Sequence, residues 1–125
     1  MLSHIQKIKK RNITHNLTLA SDTTFYHPEN YNDLKKILTY LKKNKKKVLI
    51  RGGSCGYGDK SNLQDSEYAI SLSKLNKIIN FDKKKQTVTA QAGTSIYELF
   101  FYLKEKGYII FNIPGGRSVS LGGGI

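Results

Sequence analysis

The sequence predicts an α+β domain, a mixed sheet with flanking helices, and three observations carry that expectation. Two apolar stripes recur at helical spacing, one at Leu34, Ile37, Leu38 and Leu41, the other at Ile96, Leu99, Phe100 and Leu103. Between and after them stand short runs with the marks of strands, such as Val48-Leu49-Ile50 and the period-two stretch Thr87-Val88-Thr89-Ala90. The 11 glycines are unevenly placed: four fall within 52–58 and five within 115–124. Such clusters mark backbone that bends sharply or approaches something closely.

The elements follow in order. Residues 1–20 are basic and weakly patterned, and the expectation for 1–24 is a lead-in arm, with a partial domain over 25–125. After Pro28, Asn30 or Asn32 can cap a helix that carries the first stripe and ends near Asn44. Val48-Leu49-Ile50 reads as a short, fully buried strand that delivers the chain into the first glycine cluster. Strands are expected at Tyr68-Ala69-Ile70-Ser71-Leu72 and at Ile78-Ile79-Asn80-Phe81. The turn Asp82-Lys83-Lys84-Lys85 leads to a further strand at Thr87 to Ala92. Ser95 and Glu98 form a capping box for the second helix, and Gly107 supplies its left-handed terminus. Ile109-Ile110-Phe111 reads as a last buried strand, and Pro114 opens the second cluster.

Length and composition bound the functions. A chain of 125 residues allows one domain with a real core and excludes a multidomain enzyme within these residues. At 38% hydrophobic residues it is too apolar for a disordered polyelectrolyte. The net charge of +12 raises nucleic acid, an anionic membrane surface or a phosphorylated ligand as partners. However, 18 of the 21 basic residues are Lys, and specific phosphate or base recognition favours the Arg fork. The runs at 42–47 and 83–85 therefore read as solvated turns, and no specific nucleic acid is expected. One cysteine, Cys55, excludes an internal disulfide and a multi-cysteine metal site. The first residues show no signal-peptide core, and no apolar run approaches the ~20 residues of a membrane span. The expectation is a soluble protein of a reducing, cytoplasmic compartment. Ending on Gly122-Gly123-Gly124-Ile125, without a closing element, the chain is expected to be the start of something longer.

The first cluster, Arg51-Gly52-Gly53-Ser54-Cys55-Gly56-Tyr57-Gly58-Asp59, leaves a strand at a sheet edge. Consecutive bare N–H groups there can form an anion-binding nest, while a ligand-free tight turn needs fewer glycines. Three named motifs compete and fail. A P-loop needs Gly-Lys-Ser/Thr opening a helix, where this chain has Gly58-Asp59-Lys60-Ser61. A Rossmann fingerprint needs a third glycine and a following helix, and neither is present. Gly52-Gly53-Ser54-Cys55-Gly56 matches the nucleophile elbow literally, but His4, His15 and His27 all lie upstream and a helix is opposed. Cys55 as a nucleophile meets the same lack of a downstream histidine. The histidines have no companion ligands that would indicate a metal.

The second cluster, Pro114-Gly115-Gly116-Arg117-Ser118-Val119-Ser120-Leu121-Gly122-Gly123, combines bare backbone with two small hydroxyls and one arginine. Two such loops, each expected after a buried strand, point to a diphosphate held between them.

At this level the chain resembles a known family. Arg51-Gly52 through Tyr57-Gly58-Asp59, then Leu72-Ser73-Lys74-Leu75-Asn76-Lys77-Ile78, then Thr87 to Gly93, and Pro114-Gly115 to Ser120-Leu121-Gly122-Gly123 recur in order. They are similar to the PCMH-type FAD-binding domain of the vanillyl-alcohol oxidase / p-cresol methylhydroxylase superfamily. The first motif most resembles bacterial FAD-linked sugar oxidoreductases, including the decaprenylphosphoryl-ribose 2'-oxidase branch. The resemblance covers about residues 25–125. It implies the N-terminal part of such a domain, with FAD pyrophosphate contacts from Arg51, Gly52, Gly53, Ser54, Cys55, Gly56, Tyr57, Gly58 and Asp59. From the second loop it implies flavin or diphosphate contacts by Pro114, Gly115, Ser120, Leu121, Gly122 and Gly123. The implied chemistry is oxidation of an alcohol or sugar carbon by hydride transfer to flavin. Many relatives bond flavin covalently through histidine at the position of Cys55, so non-covalent FAD is expected here. The implied partner is a C-terminal half of the same enzyme carrying the catalytic residues and substrate pocket, so no catalytic residue is assigned within these 125. Read without the resemblance, the residues also allow a non-enzymatic basic module for nucleic acid or an acidic partner. A steep salt dependence of binding separates the two.

Overall fold

A computed structural model of the chain describes residues 2–13, 20–55 and 67–124. Eight regular elements follow in the order β1 (Gln6–Ile13), β2 (Ala20–His27), α1 (Tyr31–Lys43), β3 (Val48–Arg51), β4 (Tyr68–Ser71), β5 (Ile78–Asp82), β6 (Thr87–Ala90) and α2 (Ile96–Lys104). A short 3-10 turn at Leu121–Gly123 comes last. Strands β1-β2-β4-β3 form one sheet, with β1 antiparallel to β2 and β4 parallel to both β2 and β3. This is the mixed sheet with flanking helices that the patterning predicts. Strands β5 and β6 make a separate antiparallel ribbon.

Register explains the core. Phe25 and Leu49 both pair with Ala69 in the ladder, and these three make the buried cluster on one sheet face. The next row, Tyr26, Ile70 and Ile50, faces the other way. Tyr26 and Ile70 pack there with Ile37 and Leu41 of α1 and with Ile5. Asn30 caps α1, its side-chain oxygen accepting from Asp33 N at 2.9 Å. His4 Nε2 meets Asp33 Oδ1 at 2.9 Å, which ties the segment before β1 to the start of α1. The capping box opens α2 as expected, with Ser95 N donating to Glu98 Oε2 at 2.9 Å and Glu98 N to Ser95 Oγ at 3.1 Å. Gly107, at φ +80°, closes it in a Schellman turn, Tyr108 N donating to Leu103 O at 2.9 Å.

Four expectations need correction. The basic arm is replaced by a strand, since β1 pairs with β2 over eight registers; β2 itself spans the boundary drawn at 24/25. The alternation that announces a strand is missing from β1 because it is a sheet edge, where lysines are tolerated and discourage further pairing. Its lysines also cover aromatic rings, with Lys7 Nζ 5.8 Å from the Tyr26 centroid and Lys10 Nζ 4.7 Å from that of Phe25. Secondly, Val48 to Ile50 is not fully buried: β3 is the other edge, so Leu49 is covered while Ile50 is 49% exposed. Thirdly, 109–111 forms no strand and is not buried, Phe111 being fully exposed. It pairs with none of the described strands, although Ile109 borders a cavity with Phe81 of β5 and Val88 of β6. Fourthly, the second glycine loop therefore does not follow a buried strand. Leu38, counted in the first apolar stripe, also points outward, at 41% exposure.

Candidate functional site

The site begins where β3 ends. Arg51 is the last ladder residue, and its carbonyl accepts from Leu72 N at 3.0 Å. Ser54 then turns the chain at φ +60°, a left-handed conformation seldom adopted by a residue with a side chain. Its hydroxyl accepts a hydrogen bond from Arg51 Nε. The Arg51 guanidinium also lies 5.5 Å from the Phe25 ring centroid. Burial lowers its pKa from the usual value, and an arginine remains a cation throughout the working range. Cys55 Sγ makes a weak contact with Gly53 O at 3.5 Å.

The second loop is held by backbone bonds to the segment before α2. Leu121 N donates to Thr94 O at 2.8 Å, Gly122 N to Ala92 O at 2.9 Å and Ile96 N to Val119 O at 2.9 Å. Ser95 and Ser120 form a single antiparallel bridge. Behind them Gly93 N donates to Leu75 O at 2.8 Å, and a side chain at 93 would overlap the carbonyls of Leu72 and Leu75. Thr94 is fully buried, and its Oγ1 has no hydrogen-bond partner among the described residues.

The two glycine loops touch. A methyl group at Gly52 would overlap the Ser120 hydroxyl, and one at Gly53 would overlap the Ser118 carbonyl. The first loop is therefore glycine-rich partly to admit the second. Beside this contact lies a cleft of about 480 Å³, bordered by Arg51, Ser54, Cys55, Pro114, Ser120 and Gly123. That volume suits a small-molecule site. No acidic side chain lines it among the described residues, and one arginine does. On the α2 side of the contact a second polar cleft, of about 450 Å³, shares Gly52, Gly53 and Ser120 and adds Arg117.

The structure thus brings together Arg51, Gly52, Gly53, Ser54, Cys55, Pro114, Ser120 and Gly123 of the expected residues. Gly115 lies outside the cleft, with open space around its α-carbon, while Leu121 and Gly122 face the anchoring segment instead. Gly56, Tyr57, Gly58 and Asp59 lie outside the described residues. Sequence reading overlooked Ile50, Val119 and Gly124 in the lining. It also gave Gly93 no anchoring role, although an isolated glycine directly after a strand is a signal for close backbone approach. No three His, Cys, Asp or Glu side chains gather to hold a metal among the described residues. No described helix is long and apolar enough to cross a membrane.

A bound anion would meet, in this cleft, one cation, small hydroxyls and bare glycine backbone, a donor set that fits a diphosphate. Comparison with known proteins places the chain in a family. The model of the family described as "FAD binding domain" matches residues 23–125. L-gulonolactone oxidase of Scyliorhinus torazame is 30% identical over 99 residues, covering 79% of this chain and 22% of that protein. The probable mitochondrial D-2-hydroxyglutarate dehydrogenase of Oryza sativa subsp. indica is 31% identical over 99 residues, covering 78% and 18% respectively. Among solved structures, cholesterol oxidase from Brevibacterium sterolicum (a His121Ala mutant) superposes with a TM-score of 0.83 at 23% identity, covering 96% of this chain and 24% of that one. The chain spans about a fifth of the length of the relatives it matches.

Proposed function

Because the chain belongs to the FAD-binding domain family, we propose that its two glycine loops hold the diphosphate of FAD, bound without a covalent link, within an FAD-linked oxidoreductase. The observation that carries this reading is the fit of Gly52 and Gly53 against Ser118 and Ser120, beside a cation-lined and acid-free cleft. Arg51, steadied by Ser54 and the Phe25 ring, neutralises phosphate charge. Backbone N–H groups of Gly52, Gly53, Ser54 and Cys55 would donate to phosphate oxygens, and the same role is proposed for Gly56, Tyr57, Gly58 and Asp59. Ser120 and Gly123 would form the opposite wall, with Pro114 bordering the same cleft. Gly115, Leu121 and Gly122 act by shaping the loop that carries these groups. When bound, FAD supplies a two-electron acceptor for hydride from an alcohol or sugar carbon.

Cys55 is read as a free thiol lining the site, in keeping with a reducing cytoplasmic compartment. The substrate pocket and the catalytic residues are assigned to polypeptide beyond these 125 residues. Supporting this are the length of the relatives and the exposed apolar residues Ile109, Phe111 and Ile113, which further chain would cover.

Titrating the chain with FAD and following flavin fluorescence tests the reading. Weak, saturable binding is expected, competed by ADP and lost in Arg51→Ala, with no bleaching by alcohols or sugars. Binding that does not saturate, or that ignores ADP, overturns the diphosphate site. Acid precipitation should release all flavin; flavin that stays with the pellet rules out the non-covalent mode.

A further inference from the structure

We infer that the outer flank of α1 is a docking surface for anionic lipid bilayers, independent of the cofactor site. Lysine runs alone read as solvated surface, but the structure adds two apolar side chains to them. Tyr31 is 58% and Leu38 is 41% exposed, and they share a shallow groove with Leu34, Lys35, Thr39 and Lys42. At 100° per residue, positions 31, 35, 38 and 42 fall on one strip of the helix, away from the core residues Ile37 and Leu41. The helix therefore has two faces with different tasks: one is packed on the sheet, and the other sets an aromatic and an aliphatic side chain between ammonium groups.

Charge selects the occupant. The only acid on α1 is Asp33, which is buried and engaged by His4 and Asn30. Of the nearest acids, Glu29 is occupied by Lys74 at 2.7 Å. Lys35, Lys42 and Lys43 thus face outward with no acid of the helix beside them among the described residues. An anionic bilayer surface answers both features: the lysines approach the headgroups, while Tyr31 and Leu38 enter the boundary region beneath them. A nucleic acid would use the lysines but would leave Leu38 without a role.

Sedimentation of the 125-residue chain with phosphatidylcholine vesicles, with and without phosphatidylglycerol, is the test. Binding is expected only to the phosphatidylglycerol vesicles. Lys35→Gln with Lys42→Gln should weaken it about thirtyfold, at roughly fivefold per lysine near an anionic surface. Tyr31→Ser with Leu38→Ser should also weaken it, while Lys83→Gln with Lys84→Gln, in the β5–β6 turn, should leave it unchanged. Circular dichroism confirms that each variant is folded, and the exposed lysine pair does not depend on core packing. Equal binding to neutral vesicles overturns the inference, as does equal weakening by the Lys83 and Lys84 changes. Binding to polyuridylate that matches vesicle binding and ignores the Tyr31 and Leu38 changes assigns the face to nucleic acid and overturns it too.

Discussion

Gly53 lies so close to the main chain of Ser118 that no side chain fits between them. Residues separated by more than half the chain meet there backbone to backbone, and this contact sets the distance between the two walls of the cleft. Replacing Gly53 by alanine forces the loops apart. The cost expected for such overpacking is about 1–3 kcal/mol, with a parallel loss of FAD affinity. Gly115 has open space around its α-carbon and a backbone outside the left-handed region. Gly115→Ala should therefore leave stability within about 0.5 kcal/mol. Urea unfolding of the two variants makes the comparison; equal midpoints would show that the loop contact does not govern the fold.

Ser95 joins the two halves of the site through a second route. Its hydroxyl caps α2, and its backbone bridges Ser120. Ser95→Ala should cost about 1 kcal/mol, the usual value of an N-cap. Glu98→Gln, which can still reach the Ser95 N–H, should cost less. Thermal unfolding followed at a helix-sensitive wavelength ranks the two, and the opposite order refutes the capping account.

Acid should lower the protein's stability over two pH ranges. Burial, then Lys10 and Lys74, hold the His27 pKa below its usual 6.5. The folded state therefore binds the His27 proton less readily than the unfolded chain, and stability falls as the pH drops below about 6.5. The Asp33 carboxyl is held below its ordinary 3.8, chiefly by the hydrogen bond with His4. Its stabilisation is complete above that value and is lost as the pH falls further. His27→Gln should flatten the upper range alone, and Asp33→Asn the lower. Urea midpoints measured across the acid range would contradict this if neither slope changed.

Lys45 gives a stabilising change. It follows α1 at φ +51°, where Lys46 N donates to Leu41 O, a position that glycine fills at lower cost. Lys45→Gly should raise stability by about 0.5–1 kcal/mol. An unchanged or lowered urea midpoint counts against a strained helix end.

Much of the architecture is written in short-range patterns. The stripe through Ile37 and Leu41, the Asn30 cap, the Ser95 and Glu98 box and Gly107 all act within a few residues of themselves, so spacing alone reveals them. The glycine clusters are equally local, and their bare backbone marks anion-friendly loops. Strand β1 escapes such reading because its stability comes from a ladder with β2 and from lysine stems laid over Tyr26 and Phe25. Ile109 and Phe111 mislead in the other direction: they have strand composition but join no sheet among the described residues. The division within the site follows the same physics. Residue type and order identify two anion-friendly loops, whereas the meeting of Gly52 and Gly53 with Ser118 and Ser120 depends on sheet register and on the bonds of Leu121 and Gly122 to the segment before α2. Those are long-range contacts, whose partners no local pattern specifies. They separate the glycines that admit a neighbouring loop from those that border open space, and only the folded chain makes that separation.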